Sequence, residues 1–481
     1  MSKAFPADHP FLNGYFAPLH IEGDATHLPV SGALPAELNG TLYRIGPNPQ
    51  FAPRGRYEWF AGDGMVHEFK LSTGHASYRN RYVRTPKWQL EHQAGEGLAA
   101  GTVAPSPLDD PRIAQLRSTV ANTNIVLHGG KLLALEEVHA PYEMNPKDLS
   151  SLGYETYDGD LVGPMTAHPK VDPVNGEMIA FAYQTKGLGT RDTQVHVVSA
   201  DGALLRSEHV MAPFASMMHD FAVTADHIVL PVFPLTASME RARGGMPVYA
   251  WEPELGNRIG IMSRTGGVGS LRWFKGDASY VFHVLNAYDT TDGKVVTDVV
   301  RYDVPPGYSM ADGSPARSRL HGARLVRWTF DLSRDDDTHH EASLSDLQVE
   351  FPRVDDRYAT RQHRHGWFVS GSANMNVGEA SDRASIAHVD TLTGTTTLWR
   401  PEQGDFAGEP VFVPRSAEAM EGEGWILTVV YRGGTHRSDL VVLDALNIES
   451  GPVATVHLSH HVPAGFHGNW YPAAGTSQPS A

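Results

Sequence analysis

Cysteine is absent from the sequence, and that absence removes disulfides, thiolate metal sites and cysteine nucleophiles together. There is no surplus of positive charge: a net charge of -16 disfavours a nucleic-acid or anionic-membrane partner on electrostatic grounds. Long apolar runs are missing. Met1 to Gly23 shows no basic region followed by an apolar run, and no stretch elsewhere is long enough to span a bilayer. The expectation is a cytoplasmic protein with at most weak contact with a membrane surface and no protein partner. Helical periodicity is scarce, its best stretches being Pro111 to Ser118, Thr236 to Arg243 and a few turns near Ser345. Familiar hydrolase and nucleotide signatures are also missing: no H-E-x-x-H, no G-x-S-x-G, no Walker-type G-x-x-x-x-G-K and no G-x-G-x-x-G after a strand.

What remains is strand. With 481 residues, 41% of them hydrophobic, the protein can bury a large core. A turn at Pro35 to Gly40 leads into Thr41–Ile45, and from there short β-rich runs alternate with turn chemistry. The runs include Met178–Tyr183, Val281–Leu285 and Trp425–Tyr431, rich in β-branched and aromatic residues. The turns include Ser72-Thr73-Gly74, Asp172–Gly176, Asp201-Gly202, Asp292-Gly293 and Leu392-Thr393-Gly394. Many short strands with few helices predict an all-β sandwich, barrel or propeller. A sandwich would end well before this length, whereas a propeller absorbs it at about 40–50 residues per blade. No repeated blade motif is visible. No linker or low-complexity segment divides the sequence, so residues 1–471 read as one domain and 472–481, rich in Ala, Ser, Pro and Gly, as a disordered tail.

Of 25 histidines, four share a context in which each adjoins or lies within a strand-like apolar segment. They are His168 in Thr166-Ala167-His168-Pro169, His219 in Met217-Met218-His219-Asp220-Phe221, His283 in Phe282-His283-Val284, and His467 in Phe466-His467-Gly468. Any one alone reads as a core histidine satisfied by a backbone hydrogen bond. Their separations are too long for one helix or hairpin, and suit ligands brought from different blades to a common axis. Imidazole donors suit Fe, Zn, Cu or Ni. Carboxylates accepting from the outer ring N–H groups would fix tautomer and orientation. Glu137, Glu350 and Glu409 lie in apolar flanks and are candidates, although each alone reads as an edge carboxylate.

Nine segments, in order, resemble the carotenoid cleavage oxygenase family, whose members cleave apocarotenoids, stilbenoids and phenylpropenoids. They are Asn39–Arg44, Gly62–Met65, Asn122–Asn124, Ala167–Pro169, Met218–Asp220, Glu350–Arg353, Glu409–Pro414, Ser438–Leu440 and His467-Gly468. The resemblance implies a seven-bladed β-propeller with a dome of loops and short helices over one face and Fe(II) on its axis. It implies His168, His219, His283 and His467 as the iron ligands, with Glu137, Glu350 and Glu409 orienting His219, His283 and His467 respectively. The activity implied is cleavage of a conjugated C=C bond by O2 into two carbonyl products, with no reducing co-substrate.

The hydroxystilbene-cleaving branch of that family grips a phenol with a lysine and a tyrosine. This protein has Glu136 at the lysine position and Thr102 near the tyrosine position, while the tunnel aromatic of the family is present as Phe60. A glutamate there would oppose a phenolate, so a carotenoid or apocarotenoid is the expected substrate, with a stilbenoid or phenylpropenoid as the alternative. Met246–Glu254 resembles the phenylpropenoid-cleaving bacterial members and argues for that alternative. Leu235–Arg243 is mixed in charge and offers at most a light membrane contact. A metal-dependent propeller hydrolase and a non-catalytic scaffold are the competing classes, and neither explains the order of the motifs.

Overall fold

Tight turns with left-handed backbones set much of the strand pairing. Between Gly64–Ser72 and His75–Tyr82, Thr73 and Gly74 take φ of 48° and 80°, the turn whose twist matches the flanking strands. The hairpin register then runs from Ser72↔His75 to Met65↔Tyr82. The structure is a computed structural model that describes residues 3–103, 106–317, 322–371 and 384–473. Its described strands fall into seven antiparallel sheets.

Two compact units divide the protein. One takes it up to Met165 and again from Trp399; the other runs from Thr166 to Leu398, apart from the few residues just before Ile386. In the first unit a five-stranded sheet joins Gly468–Pro472 to Gly40–Pro47, with Arg44 opposite Gly468. Its core gathers Leu42, Phe69, Leu427 and Leu440, all buried. In the second, a seven-stranded sheet starts at Tyr280–Asp289 and ends at Thr396–Trp399. Its core is built on Phe233, Tyr280, Trp328 and Phe368.

The expected seven-bladed propeller is not what the pairing gives. The sheets hold five, four, four, two, six, seven and four strands, and none closes into a barrel or propeller. Nor do the described residues form a clear dome, since their helical content is minor: the α-helices among them are Pro86–Ala94, Pro111–Ala114 and Met239–Arg243. The propeller axis as a seat for the metal goes with the propeller. Short apolar runs and turn residues report strands, which are local, but the sharing of strands among sheets depends on pairing between residues far apart in sequence.

Helices depart from expectation in detail. The region around Ser345 is the 14-residue strand His340–Arg353. Thr236–Arg243 divides into the strand Leu235–Ala237 and a short helix capped by the Ser238 side chain. Pro86–Ala94 has no strong apolar stripe, burying Trp88 beside a charged Glu91; it is defined by its Thr85 cap and by Gly95 at φ 69°. Of the tail, Pro472 closes a strand, and 474–481 lie outside the described residues. No helix among the described residues is long and apolar enough to cross a membrane.

Candidate metal centre

His283 sits within Tyr280–Asp289, a strand buried along almost its whole length. Its Nδ1 faces Glu350 Oε2 at 2.5 Å. The same carboxylate accepts from the Phe351 N–H at 2.8 Å and, through Oε1, from the Tyr302 hydroxyl at 2.8 Å. Burial pushes the Glu350 carboxyl up, yet His283, the Phe351 N–H and the Tyr302 hydroxyl together carry it below the usual carboxylate range. Tyr302 is pushed well up, by burial first and then by the Glu350 charge. Phe351 takes φ 51°, unusual for a bulky side chain, and its ring stacks on His283 with centroids 5.4 Å apart. A strained aromatic and a triply bonded carboxylate therefore hold one imidazole from two sides.

His168 and His219 both lie in connections, not in strands. The His168 N–H donates to Thr166 Oγ1 at 2.9 Å, and the Thr166 N–H to the Phe181 carbonyl at 2.7 Å, which pins that loop to the strand Met178–Tyr183. His219 is fixed through its neighbour. Asp220, 3% exposed, accepts from its own Phe221 N–H at 2.8 Å, from the Val284 N–H at 2.8 Å, and pairs with Lys170 Nζ at 2.7 Å. Those partners lie beside His219, His283 and His168, so one buried carboxylate ties together the segments that carry three imidazoles, two through backbone N–H groups and one through the Lys170 side chain.

His467 precedes the strand Gly468–Pro472. Its Nδ1 faces Glu409 Oε1 at 2.8 Å, while Glu409 Oε2 accepts from the Gly468 N–H at 2.8 Å. The His467 N–H donates to the Thr123 carbonyl at 3.2 Å. Glu409 thus grips both the ring and the backbone beside it.

All four histidines are buried, and their candidate ligand atoms lie within 4.8 Å of one another. His168 Nε2 and His219 Nε2 are 3.0 Å apart, and His219 Nε2 and His283 Nε2 are 3.3 Å apart. A metal–nitrogen bond of about 2.1 Å puts adjacent ligands about 3.0 Å apart at a right angle and about 3.4 Å apart at a tetrahedral angle. With Nδ1 of His283 and His467 facing carboxylates, each of those rings carries its proton outward and turns an Nε2 lone pair inward. Four neutral nitrogen donors at this spacing fit a divalent transition ion.

The other residues singled out in the sequence occupy connections between strands of the first unit. Phe60 is 44% exposed and stacks on Phe466, the residue before His467, with centroids 5.3 Å apart and planes 6° from parallel. Thr102 is half-buried next to Gly101, whose carbonyl accepts from Glu58. Glu136 turns back on its own loop, bonding His139 Nδ1 and the Val138 N–H. Glu137 is half-buried in the same loop after the strand Lys131–Leu135. Sequence reasoning passed over Asp220 and Tyr302. Asp220 adjoins a candidate histidine and was open to notice; nothing near Tyr302 distinguishes it from any other strand tyrosine.

An all-β scaffold with a buried cluster of four histidines able to hold a metal defines a non-haem metalloprotein. The comparisons make that class specific. The family profile described as retinal pigment epithelial membrane protein matches residues 16–472. Isoeugenol monooxygenase of Pseudomonas nitroreducens is 36% identical over 470 residues, 96% of this protein and 98% of its own length. The crystal structure of Pseudomonas brassicacearum lignostilbene dioxygenase superposes with a TM-score of 0.91 at 36% identity, covering 98% of this protein and 100% of that one. A mutant structure of Synechocystis apocarotenoid oxygenase gives 0.82 at 29% identity, covering 96% and 98%. The protein belongs to the carotenoid cleavage oxygenase superfamily, the one that includes the retinal pigment epithelial membrane protein. It is a metal-dependent oxidoreductase of that superfamily.

Proposed function

We propose that this protein is an Fe(II) oxygenase that uses O2 to cleave the conjugated C=C bond of a phenylpropenoid or stilbenoid, giving two carbonyl products. The observation that carries the reading is the buried four-histidine cluster in a protein whose relatives named for isoeugenol and lignostilbene match it over nearly its full length. The carotenoid preference drawn from the sequence rested on Glu136 and Thr102 offering neither a cation nor a phenolic donor, and on Glu136 opposing a phenolate. The Glu136 carboxylate is occupied by His139 and the Val138 N–H, which weakens the last of these objections, and the relatives outweigh the others. The reaction balances without a reductant, since each alkene carbon takes one oxygen atom of O2.

In this reading His168, His219, His283 and His467 hold the iron, which supplies the one-electron chemistry that lets O2 react with an alkene. The protein does the rest. Glu350 and Glu409 keep the Nδ1 protons of His283 and His467 outward, and Glu137 is assigned the same task for His219. Phe282, its ring 5.4 Å from His219, and Phe351 give that side an apolar wall that excludes water. Phe60 offers an exposed aromatic face for a flat substrate, with Thr102 and the Glu136 loop as further contacts.

Iron-loaded protein should convert isoeugenol to an aromatic aldehyde and acetaldehyde, and a hydroxystilbene to two aromatic aldehydes, by liquid chromatography–mass spectrometry. Cleavage of an apocarotenal alone would overturn the substrate class. Failure with all three at full iron occupancy would overturn the oxygenase.

A further inference from the structure

We propose that the first unit holds a small monovalent anion, of halide size, on Arg44. Arg44 lies in Gly40–Pro47, between the strands Gly64–Ser72 and Gly468–Pro472, and is 5% exposed. Its Nε, Nη1 and Nη2 are all buried, and none has an acceptor among the described residues. A guanidinium cannot shed its proton to escape this, and an uncompensated buried charge is costly.

Neutral side chains flank the guanidinium, and no carboxylate among the described residues bonds it. His67 is the cross-strand partner of Arg44, so the two side chains leave the same face of the sheet. Its Nδ1 bonds the Tyr78 hydroxyl at 2.7 Å, and burial, then the Arg44 charge, keep the imidazole neutral. The Tyr78 ring lies 5.0 Å from His460, whose Nε2 is also buried without a partner among the described residues. Backbone closes the other sides. A Cβ on Gly408 would lie 2.7 Å from Arg44 Nη1, and one on Gly465 3.3 Å from Nε. Neither glycine has a positive φ, so close approach and not backbone conformation requires glycine there: to the guanidinium at Gly408, and first to the Ile45 carbonyl, 2.9 Å from such a Cβ, at Gly465. The neighbouring carboxylate, Glu409, directs its oxygens to His467 and the Gly468 N–H. One positive charge among neutral donors calls for one negative charge, and the anion keeps Arg44 from drawing Glu409 off His467.

The test uses the iron-loaded protein crystallised in sodium gluconate and soaked in sodium bromide. An anomalous bromine peak within hydrogen-bond distance of the Arg44 nitrogens is the expected result. Ordered water there, with no anomalous signal at high bromide, overturns the proposal and requires no variant to fold. In solution, replacing gluconate by bromide at constant ionic strength should raise Tm saturably in the parent protein and not in Arg44→Met. An equal rise in both overturns it.

Discussion

At the residue scale, the carboxylates behind the histidines carry the sharpest predictions. Glu350 accepts from an imidazole, an amide and a phenol at once. Glu350→Gln removes its charge and sets an NH2 against one of these donors. Iron affinity should fall about 10–100-fold in chelator competition, as is usual when the acceptor behind a metal-bound histidine is lost. Affinity equal to the parent would mean that Glu350 serves packing alone. Two histidines outside the cluster bear on pH. His196 and His388 are each pushed from 6.5 down to about 4, by burial in both and for His388 next by the His365 charge. The folded state then binds fewer protons than the unfolded one across that range. Their contribution is complete above pH 6.5 and is lost as pH falls toward 4. Urea midpoints should drop over this window, and His196→Gln should lessen the slope by about one proton.

At the scale of elements, Asp220 couples segments that share no strand register. Two connections and a buried strand carry His168, His219 and His283, and this carboxylate bonds to Lys170, Phe221 and Val284 beside them. Asp220→Asn keeps the shape but offers an NH2 where three donors converge. Unfolding free energy should fall by about 2–3 kcal/mol, and iron should be lost faster to a chelator. Unchanged stability in urea titration would show that the three segments are held by other contacts. The strands themselves were legible: Met178–Tyr183 matches its predicted bounds, and the runs at Val281–Leu285 and Trp425–Tyr431 fall inside longer strands. The helix expected near Ser345 was not, because a half-exposed strand of mixed burial mimics weak helical spacing.

At the scale of the whole molecule, a metal that binds only the folded state adds to its stability. Chelation of the iron-loaded protein should lower Tm, and Fe(II) should restore it, with a difference of about 4 kcal/mol when free iron is 1,000 times Kd. A calorimetric Tm indifferent to chelation would contradict a metal held by the four buried histidines. The seven sheets, unequal in strand number and none closed, are what the count of strands could not foretell.

The sequence by itself determined the materials: all-β strands, imidazole instead of thiolate donors, and four histidines marked by their apolar neighbours, three of them also inside family motifs. These are legible because propensity and flanking residues are local. Tertiary structure decided the grouping of strands into sheets, the contact geometry of the Glu350–His283 and Glu409–His467 pairs that the resemblance implied, and the capture of Glu136 by His139. It also buried Arg44 without an acceptor among the described residues. Each of these rests on residues brought together by folding, including His283 and Glu350, 67 positions apart. From residue type alone, a carboxylate in an apolar flank reads the same whether it ends on an imidazole or in water, and the contact itself is made only in the folded protein.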